Sequence, residues 1–260
     1  MFIIKKTRDI AIPYNSQKTG SENMSSTVKI LHYQILESTN KTAIDLQDWE
    51  HLNTVVSDSQ TYGKGRFGRN FYSDCGLYMS VILDPQKIKS KIQNCTPAAA
   101  LAVVDALSSV GINGLKIKWV NDILLDGKKI CGILTEAKSI SRQIGKIVVG
   151  IGINLNVPEE NFPDEIKTKA SSVKYDGDKI ALAETIAYNL DRYISLPKQD
   201  IADAYNERLA FLGCETTVQN YADYFKKVTG TVLGVDDECF LMLKTENGDI
   251  LHISSGEICE

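Results

Sequence analysis

Histidine is scarce in this chain and cysteine is scattered. Only three histidines occur in 260 residues, and the six cysteines stand at positions 75, 95, 131, 214, 239 and 259 without a Cys-x-x-Cys pair. A zinc centre needs clustered ligands, so this pattern argues against a metal site built by the protein. Dispersed thiols are expected to stay reduced, as in a cytoplasmic protein. No apolar run reaches the roughly 18 residues that a membrane helix needs, and the start, Met1-Phe2-Ile3-Ile4-Lys5-Lys6, lacks the basic, apolar, small-residue order of a secretion signal. A basic excess is missing too. Lys and Arg number 29 against 33 Asp and Glu, a net charge of −4, which speaks against a general binder of nucleic acid. The first 27 residues leave no room for the two amphipathic helices of a helix-turn-helix, so no DNA partner is expected. Internal repeats and low-complexity tracts are absent.

What is present is ample apolar material: 43% hydrophobic residues support one large core, or a main domain with a small appendage. A strand is expected at Phe2 to Lys5, then a polar loop from Asn15 to Thr27. Val28 to Leu36 reads as a strand, and Thr42 to Trp49 has helical spacing with Ser38, Thr39 or Asn40 as N-cap. Those three residues either only cap, or turn a helix start towards a ligand. Strands are expected at Asn53 to Asp58 and Leu77 to Leu83. The almost wholly apolar helix Ala98 to Val110 should be buried, opened by Thr96-Pro97 and closed by Gly111. Leu115 to Trp119, Asp122 to Leu125 and Lys128 to Ala137 read as strands, the last two joined by an Asp126-Gly127 turn. Lys146 to Leu155 is a β-run broken by Gly150 and Gly152, and glycine within a strand suggests close approach by a ligand or another backbone. Helices over Lys179 to Tyr193 and Lys198 to Leu212 end at Gly213. Four short β-runs follow: Glu215 to Val218, Lys227 to Leu233, Cys239 to Lys244 and Ile250 to Ile253. They predict a small β-barrel over residues 214–260, after a main domain of residues 28–213 and an N-terminal segment of residues 1–27.

Chemistry concentrates in two stretches. Gly63-Lys64-Gly65-Arg66-Phe67-Gly68-Arg69 sets three glycines and three cations on one loop, which suits a small anionic ligand held by main-chain and side-chain donors. Lys118-Trp119-Val120-Asn121-Asp122 adds a fourth cation from a separate segment. A basic loop on an acidic chain fits a local anion site. The same loop as an RNA contact would want interleaved aromatics, and Tyr62, Phe67 and Phe71 are few.

Together these stretches resemble the biotin protein ligases, whose catalytic fold is shared with lipoate ligases. Ser38-Thr39-Asn40 is similar to the family's early Ser-Thr-Asn element, and Gln60 with Gly63 to Arg69 to its Gln-x-x-Gly-Arg-Gly-Arg-x-Gly-Arg loop. Lys118 to Leu124, Lys129 to Glu136 and Gly150 to Asn156 resemble three further motifs in the family's order. Gly230 to Glu257 resembles its C-terminal Src-homology-3-like barrel. Lys64 stands where arginine is common, which keeps the charge and loses the planar fork. Val120 stands where proline is usual.

The resemblance implies an α+β fold: a mixed β-sheet catalytic domain with packed helices, of the class II aminoacyl-tRNA synthetase and biotin ligase type, plus the small barrel. It implies ATP and magnesium as cofactors, biotin as substrate, a biotin carboxyl carrier domain as protein partner, and a ligase without repressor function. Lys118 and Arg66 are the implied catalytic residues. Ser38, Thr39, Asn40, Gln60, Gly63, Lys64, Gly65, Arg66, Lys118 and Gly132 are implied for biotin, and Arg66, Arg69, Asn121 and Asn154 for the nucleotide. Arg69 either binds phosphate or anchors the loop. Asp122 either orients the loop or a magnesium ion, or makes a strand-end hydrogen bond. Trp119 is expected in the core. A lipoate or octanoate ligase would leave the polar set of Ser38, Thr39, Asn40 and Gln60 unexplained. Strand edges on the main sheet could pair two chains in a homodimer, and no particular residue of the sequence points to monomer or dimer.

Overall fold

The computed structural model describes residues 6–12, 28–69, 71, 76–89, 91–140 and 142–259. Among them, eight strands form one mixed sheet: β1 (Lys6–Ile12), β2 (Val28–Leu36), β3 (Thr54–Gln60), β4 (Leu77–Leu83), β5 (Lys116–Lys118), β6 (Asp122–Leu125), β7 (Lys128–Ile140) and β8 (Gln143–Ile153). Their order is β1-β2-β3-β4-β8-β7-β6-β5. Only β2 and β3 run parallel; every other neighbouring pair is antiparallel.

The inner strands are buried on both faces, and residue alternation decides which layer each side chain joins. Ile30, Val56, Val81, Ile147 and Val149 point into the main core, where helices α2 (Cys95–Ser109) and α3 (Lys179–Ile194) pack. Leu31, Val55, Ile82 and Val148, one residue out of phase, join Ala43 of the short helix α1 (Thr39–Asp45) on the opposite face. The burial expected of the apolar helix follows directly: Ala98 to Val103 of α2 are fully buried.

A second sheet of five antiparallel strands comprises β9 (Glu215–Asn220), β10 (Lys226–Val235), β11 (Leu241–Lys244), β12 (Ile250–Ile253) and β13 (Gly256–Cys259), in the order β12-β11-β10-β9-β13. Trp119, only 2% exposed, donates its indole N–H to the carbonyl of Cys239 at 3.1 Å. It is a core residue, and it joins the two sheets.

Several expectations need correction. α1 starts at Thr39 rather than Thr42, because Ser38 accepts from the Lys41 N–H and caps it there. Helix α4 (Lys198–Arg208) stops four residues before Leu212. The chain leaves it to bridge Leu209 with Ile117 and to donate from Ala210 N–H to the Ile117 carbonyl at 2.8 Å. Strands β1 and β13 have no counterpart among the expected elements. The strand expected at Phe2 to Lys5 and the loop at Asn15 to Thr27 lie outside the described residues.

Candidate active site

A cavity of about 570 Å³ opens on the main sheet beside the second one, within the range usual for small-molecule sites. Its wall is built by the start of α1, the end of β3, the glycine loop, the facing strands β5 to β8, segment 162–170 and β13.

At one end lies a polar cluster. Thr39 gives both its backbone N–H (2.8 Å) and its hydroxyl (3.1 Å) to the side-chain oxygen of Gln60. The Ser80 hydroxyl sits 2.8 Å from Thr39 Oγ1 and 2.6 Å from Asn40 Oδ1. Asn40 Nδ2 donates to the Leu134 carbonyl (3.2 Å) and to Glu136 (2.7 Å). The Asn40 amide is thus fully used in tying α1 to β4 and β7. It lies against Gly150, where a Cβ would overlap its side chain. Ser38, whose Oγ accepts from the Lys41 N–H, keeps its O–H to donate at the wall, and Thr39 Oγ1 keeps acceptor capacity there.

The floor is a pair of glycines. Gly132 of β7 and Gly152 of β8 stand directly opposite each other, and the Phe71 ring lies across both. An added Cβ would come 3.0 Å from the ring at Gly132 and 2.6 Å at Gly152. Phe71 and Gly152 line the cavity and are absent from the site expected from sequence. The two glycines interrupting the Lys146 to Leu155 run were the signal for Gly152. Phe71 carried none, because an aromatic beyond a polar loop looks like any surface aromatic.

Cations come from two directions. Lys118 reaches the cavity from the end of β5, and Lys64, Arg66 and Arg69 from the loop. Arg66 donates to Asn121 Oδ1 (3.1 Å) and to the Gly256 carbonyl (3.0 Å). Its guanidinium lies 5.3 Å from the Phe67 ring and 5.5 Å from the Tyr221 ring. Burial lowers its pKa from the usual arginine value. Arg69 makes a two-pronged pair with Glu257, at 2.9 and 2.6 Å, while Tyr221 donates its hydroxyl to the same carboxylate at 2.6 Å. Hydrogen bonding from Arg69 holds the Glu257 carboxyl down at about 2. These contacts tie the glycine loop to β13.

The remaining candidates are tied in place by neighbours. Asn121 Nδ2 donates to Asp122 (3.0 Å) and to the Ile133 carbonyl (3.2 Å). Asp122 is paired with Lys129 at 2.7 Å. Asn154 donates to the Ser171 carbonyl at 2.8 Å and still borders the cavity. Gly63 is not part of the wall; its carbonyl accepts from Phe71 N–H at 2.8 Å. Segment 162–170 contributes Phe162, Glu165, Ile166, Lys169 and Ala170, a wall that sequence reading missed because nothing in it is motif-like. Among the described residues, no three His, Cys, Asp or Glu side chains gather as metal ligands.

Glycine floor, polar end and converging cations suit a small ligand that carries both neutral polar and anionic groups. Residues 31–154 match the Biotin/lipoate A/B protein ligase family, and residues 226–259 match the Biotin protein ligase C terminal domain. The bifunctional ligase/repressor BirA of Bacillus spizizenii is 34% identical over 241 residues, covering 88% of this chain and 73% of that protein. The biotin–[acetyl-CoA-carboxylase] ligase of Mycobacterium tuberculosis is 26% identical, over 78% of this chain and 77% of that one. Among solved structures, biotin protein ligase from Aquifex aeolicus in complex with biotin and ATP superposes with a TM-score of 0.75 at 26% identity. That match covers 88% of this chain and 97% of the Aquifex chain. The class is therefore the biotin and lipoate ligases. Within it, this chain belongs to the biotin protein ligase family.

Proposed function

We infer that the protein activates biotin with ATP to biotinyl-5'-AMP and transfers the biotinyl group to a lysine of a biotin carboxyl carrier domain. The observation that carries this reading is the sharing of one cavity by two chemistries. Ser38, Thr39 and Gln60 offer the paired donors and acceptors that a neutral ureido ring needs, and Lys118 and Arg66 offer charge where a carboxylate must meet a phosphate.

In the first step a biotin carboxylate oxygen bonds to the α-phosphorus of ATP, the bond to the bridging oxygen breaks, and pyrophosphate leaves. An anion approaches a polyanion, so the barrier is largely electrostatic. A cation about 4 Å from a unit charge contributes roughly 4 kcal/mol at an effective dielectric of 20, and only the part gained in the transition state speeds the reaction. We assign that role to Lys118, with Arg66 holding the adenylate. Gly65 and Lys64 bring the loop against the ligand, and Gly132 shapes the wall beside the bicycle by letting the Phe71 ring lie flat on the sheet. Asn121 and Asn154 face the adenosine side. In the second step the carrier's lysine nitrogen bonds to the acyl carbon, the bond to the phosphate oxygen breaks, AMP leaves, and the amine proton passes to solvent. A closed loop keeps water from the mixed anhydride meanwhile.

Magnesium needs oxygen ligands and usually arrives on nucleotide phosphates. The cavity-lining carboxylates do not gather for a protein-held ion: Asp122 is paired with Lys129, Glu257 with Arg69, and Glu165 stands on the separate segment 162–170. Magnesium is thus assigned to the substrate as Mg–ATP. The second sheet is proposed to close as a Src-homology-3-like barrel over residues 214–260, beside a catalytic domain of residues 28–213. A second copy, in a homodimer, would pair on the outer strand β1, since Leu209 and Ala210 already occupy the edge of β5.

Incubation with Mg–ATP, biotin and a purified carrier domain tests the whole reaction. One biotinyl group is expected on the carrier, read by intact-mass spectrometry, and none when the carrier's target lysine is replaced by arginine. Labelling that ignores that replacement would contradict the reading.

A further inference from the structure

One buried charge lies outside the reaction. Lys146, on β8, is 2% exposed and sits on the α1 side of the main sheet, away from the cavity lining. Its ammonium donates to three main-chain carbonyls: Ala43 (3.1 Å), Ile44 (3.2 Å) and Leu46 (2.6 Å). An ammonium has three donors, and all three are used. The Trp49 ring lies 5.1 Å from the same nitrogen. Burial, and then the charge of Lys138, lower the pKa of this ammonium.

The carbonyls concerned are those that a helix leaves unsatisfied at its C-terminal end. α1 has only seven residues, too few to hold itself together in water. Lys138, directly across from Lys146 in the β7–β8 register, donates to the Ile44 carbonyl at 3.1 Å. Two like charges placed opposite each other on a sheet repel. Here both are turned onto one helix end, which supplies the compensating negative dipoles. At the other end of α1, Ser38, Thr39 and Asn40 form the polar wall of the cavity. The helix is therefore fixed at both ends, by Asn40 and Gln60 at the cavity and by two lysines at the back.

We propose that Lys146, assisted by Lys138, is a positioning residue for biotin: it anchors the rear of α1 so that the Ser38 and Thr39 groups keep their places in the wall. This rests on the reading of those two residues as biotin ligands. Lys146 never meets the ligand, and its influence passes through a helix of two turns. Removing the ammonium takes the lysine donor from the Ala43 and Leu46 carbonyls, leaves Ile44 to Lys138 alone and lets the helix slide, which should affect biotin and leave the nucleotide half of the site alone.

Biotin-dependent exchange of pyrophosphate into ATP is the assay, with folding checked by circular dichroism. Lys146→Met keeps the stem and removes the charge. It is expected to raise the KM for biotin about tenfold, while the KM for ATP and kcat stay within about twofold. Equal rises in both KM values, or an unchanged biotin KM in folded protein, would overturn the proposal. Should Lys146→Met not fold, Lys138→Met removes one of the two donors to Ile44 and leaves Lys146. It is then expected to raise the biotin KM about threefold, and no rise would overturn the proposal equally. Thr39→Val separates the two ideas. If it leaves the biotin KM unchanged, the assignment of Thr39 fails and takes the proposal with it. If it raises that KM while Lys146→Met does not, only the positioning role fails.

Discussion

At the residue scale, absence of a Cβ does the most at Gly132 and Gly152. The two stand across from each other on β7 and β8 under the Phe71 ring, so the ring lies flat against backbone at the floor of the cavity, a contact that only glycine permits. A methyl at position 152 would come 2.6 Å from a ring carbon of Phe71, and the ring would have to leave. Gly152→Ala should therefore raise the biotin KM by about tenfold or more, with the melting temperature little changed because the cavity can take the displaced ring. Steady-state kinetics and thermal unfolding check this together. At this scale the sequence was informative where chemistry and geometry coincide. The cations, the Ser-Thr pair and the strand glycines were visible because each breaks a pattern. Phe71 was not, since its role depends on where the glycine loop returns to the sheet. Asn40 was visible as polar, but the partners that consume its amide, Leu134 and Glu136, lie almost a hundred residues away.

At the element scale, the glycine loop and β13 act together. Arg69 and Glu257 are both substantially solvent-exposed, at 59% and 38% of the side chain, so their contribution to global stability is small. Their effect is local, tying the loop to the second sheet alongside the Arg66 contact to the Gly256 carbonyl. The Glu257 carboxyl titrates at about 2 when paired with Arg69, below its ordinary value. The clasp is thus fully present above the ordinary carboxylate range and is lost as pH falls from that range towards about 2. Limited proteolysis of the loop is expected to be slow and pH-independent near neutrality and to accelerate through the acid window. Glu257→Gln should give fast cleavage already at neutral pH; a protection that persists in this variant would mean that the clasp does not hold the loop. β13 escaped sequence reading because four residues beginning with glycine carry too little pattern to register as a strand. The early end of α4 escaped for the reverse reason: its helical pattern continues to Leu212, while pairing with β5 takes the chain away at Leu209.

At the scale of the whole molecule, one buried helix organises the core. α2 packs against α3, α4 and the main sheet, and Leu101 and Leu107 are fully buried on it. Leu101→Ala should cost about 2–5 kcal/mol through the cavity it leaves, read as a lowered denaturant midpoint with the slope unchanged. Substrates act in the other direction. Each one bound at about 100 times its Kd should add about 2.7 kcal/mol to the native state, so biotin with Mg–ATP should raise the melting temperature by several degrees. The mixed main sheet and the second small sheet were legible from the order of short β-runs and apolar helices. The meeting of the two sheets through Trp119 and Glu257 was not, because no local pattern encodes a contact made across more than a hundred residues.

The most direct measurement is mass-spectrometric detection of an acyl-adenylate after incubation with Mg–ATP and either biotin or octanoate. Biotinyl-AMP is expected from the unaltered protein with biotin, no octanoyl-AMP with octanoate, and no adenylate from Lys118→Ala. Octanoyl-AMP alone would mean that Ser38, Thr39 and Gln60 do not form a ureido pocket. Undiminished biotinyl-AMP from Lys118→Ala would remove that lysine from the chemistry.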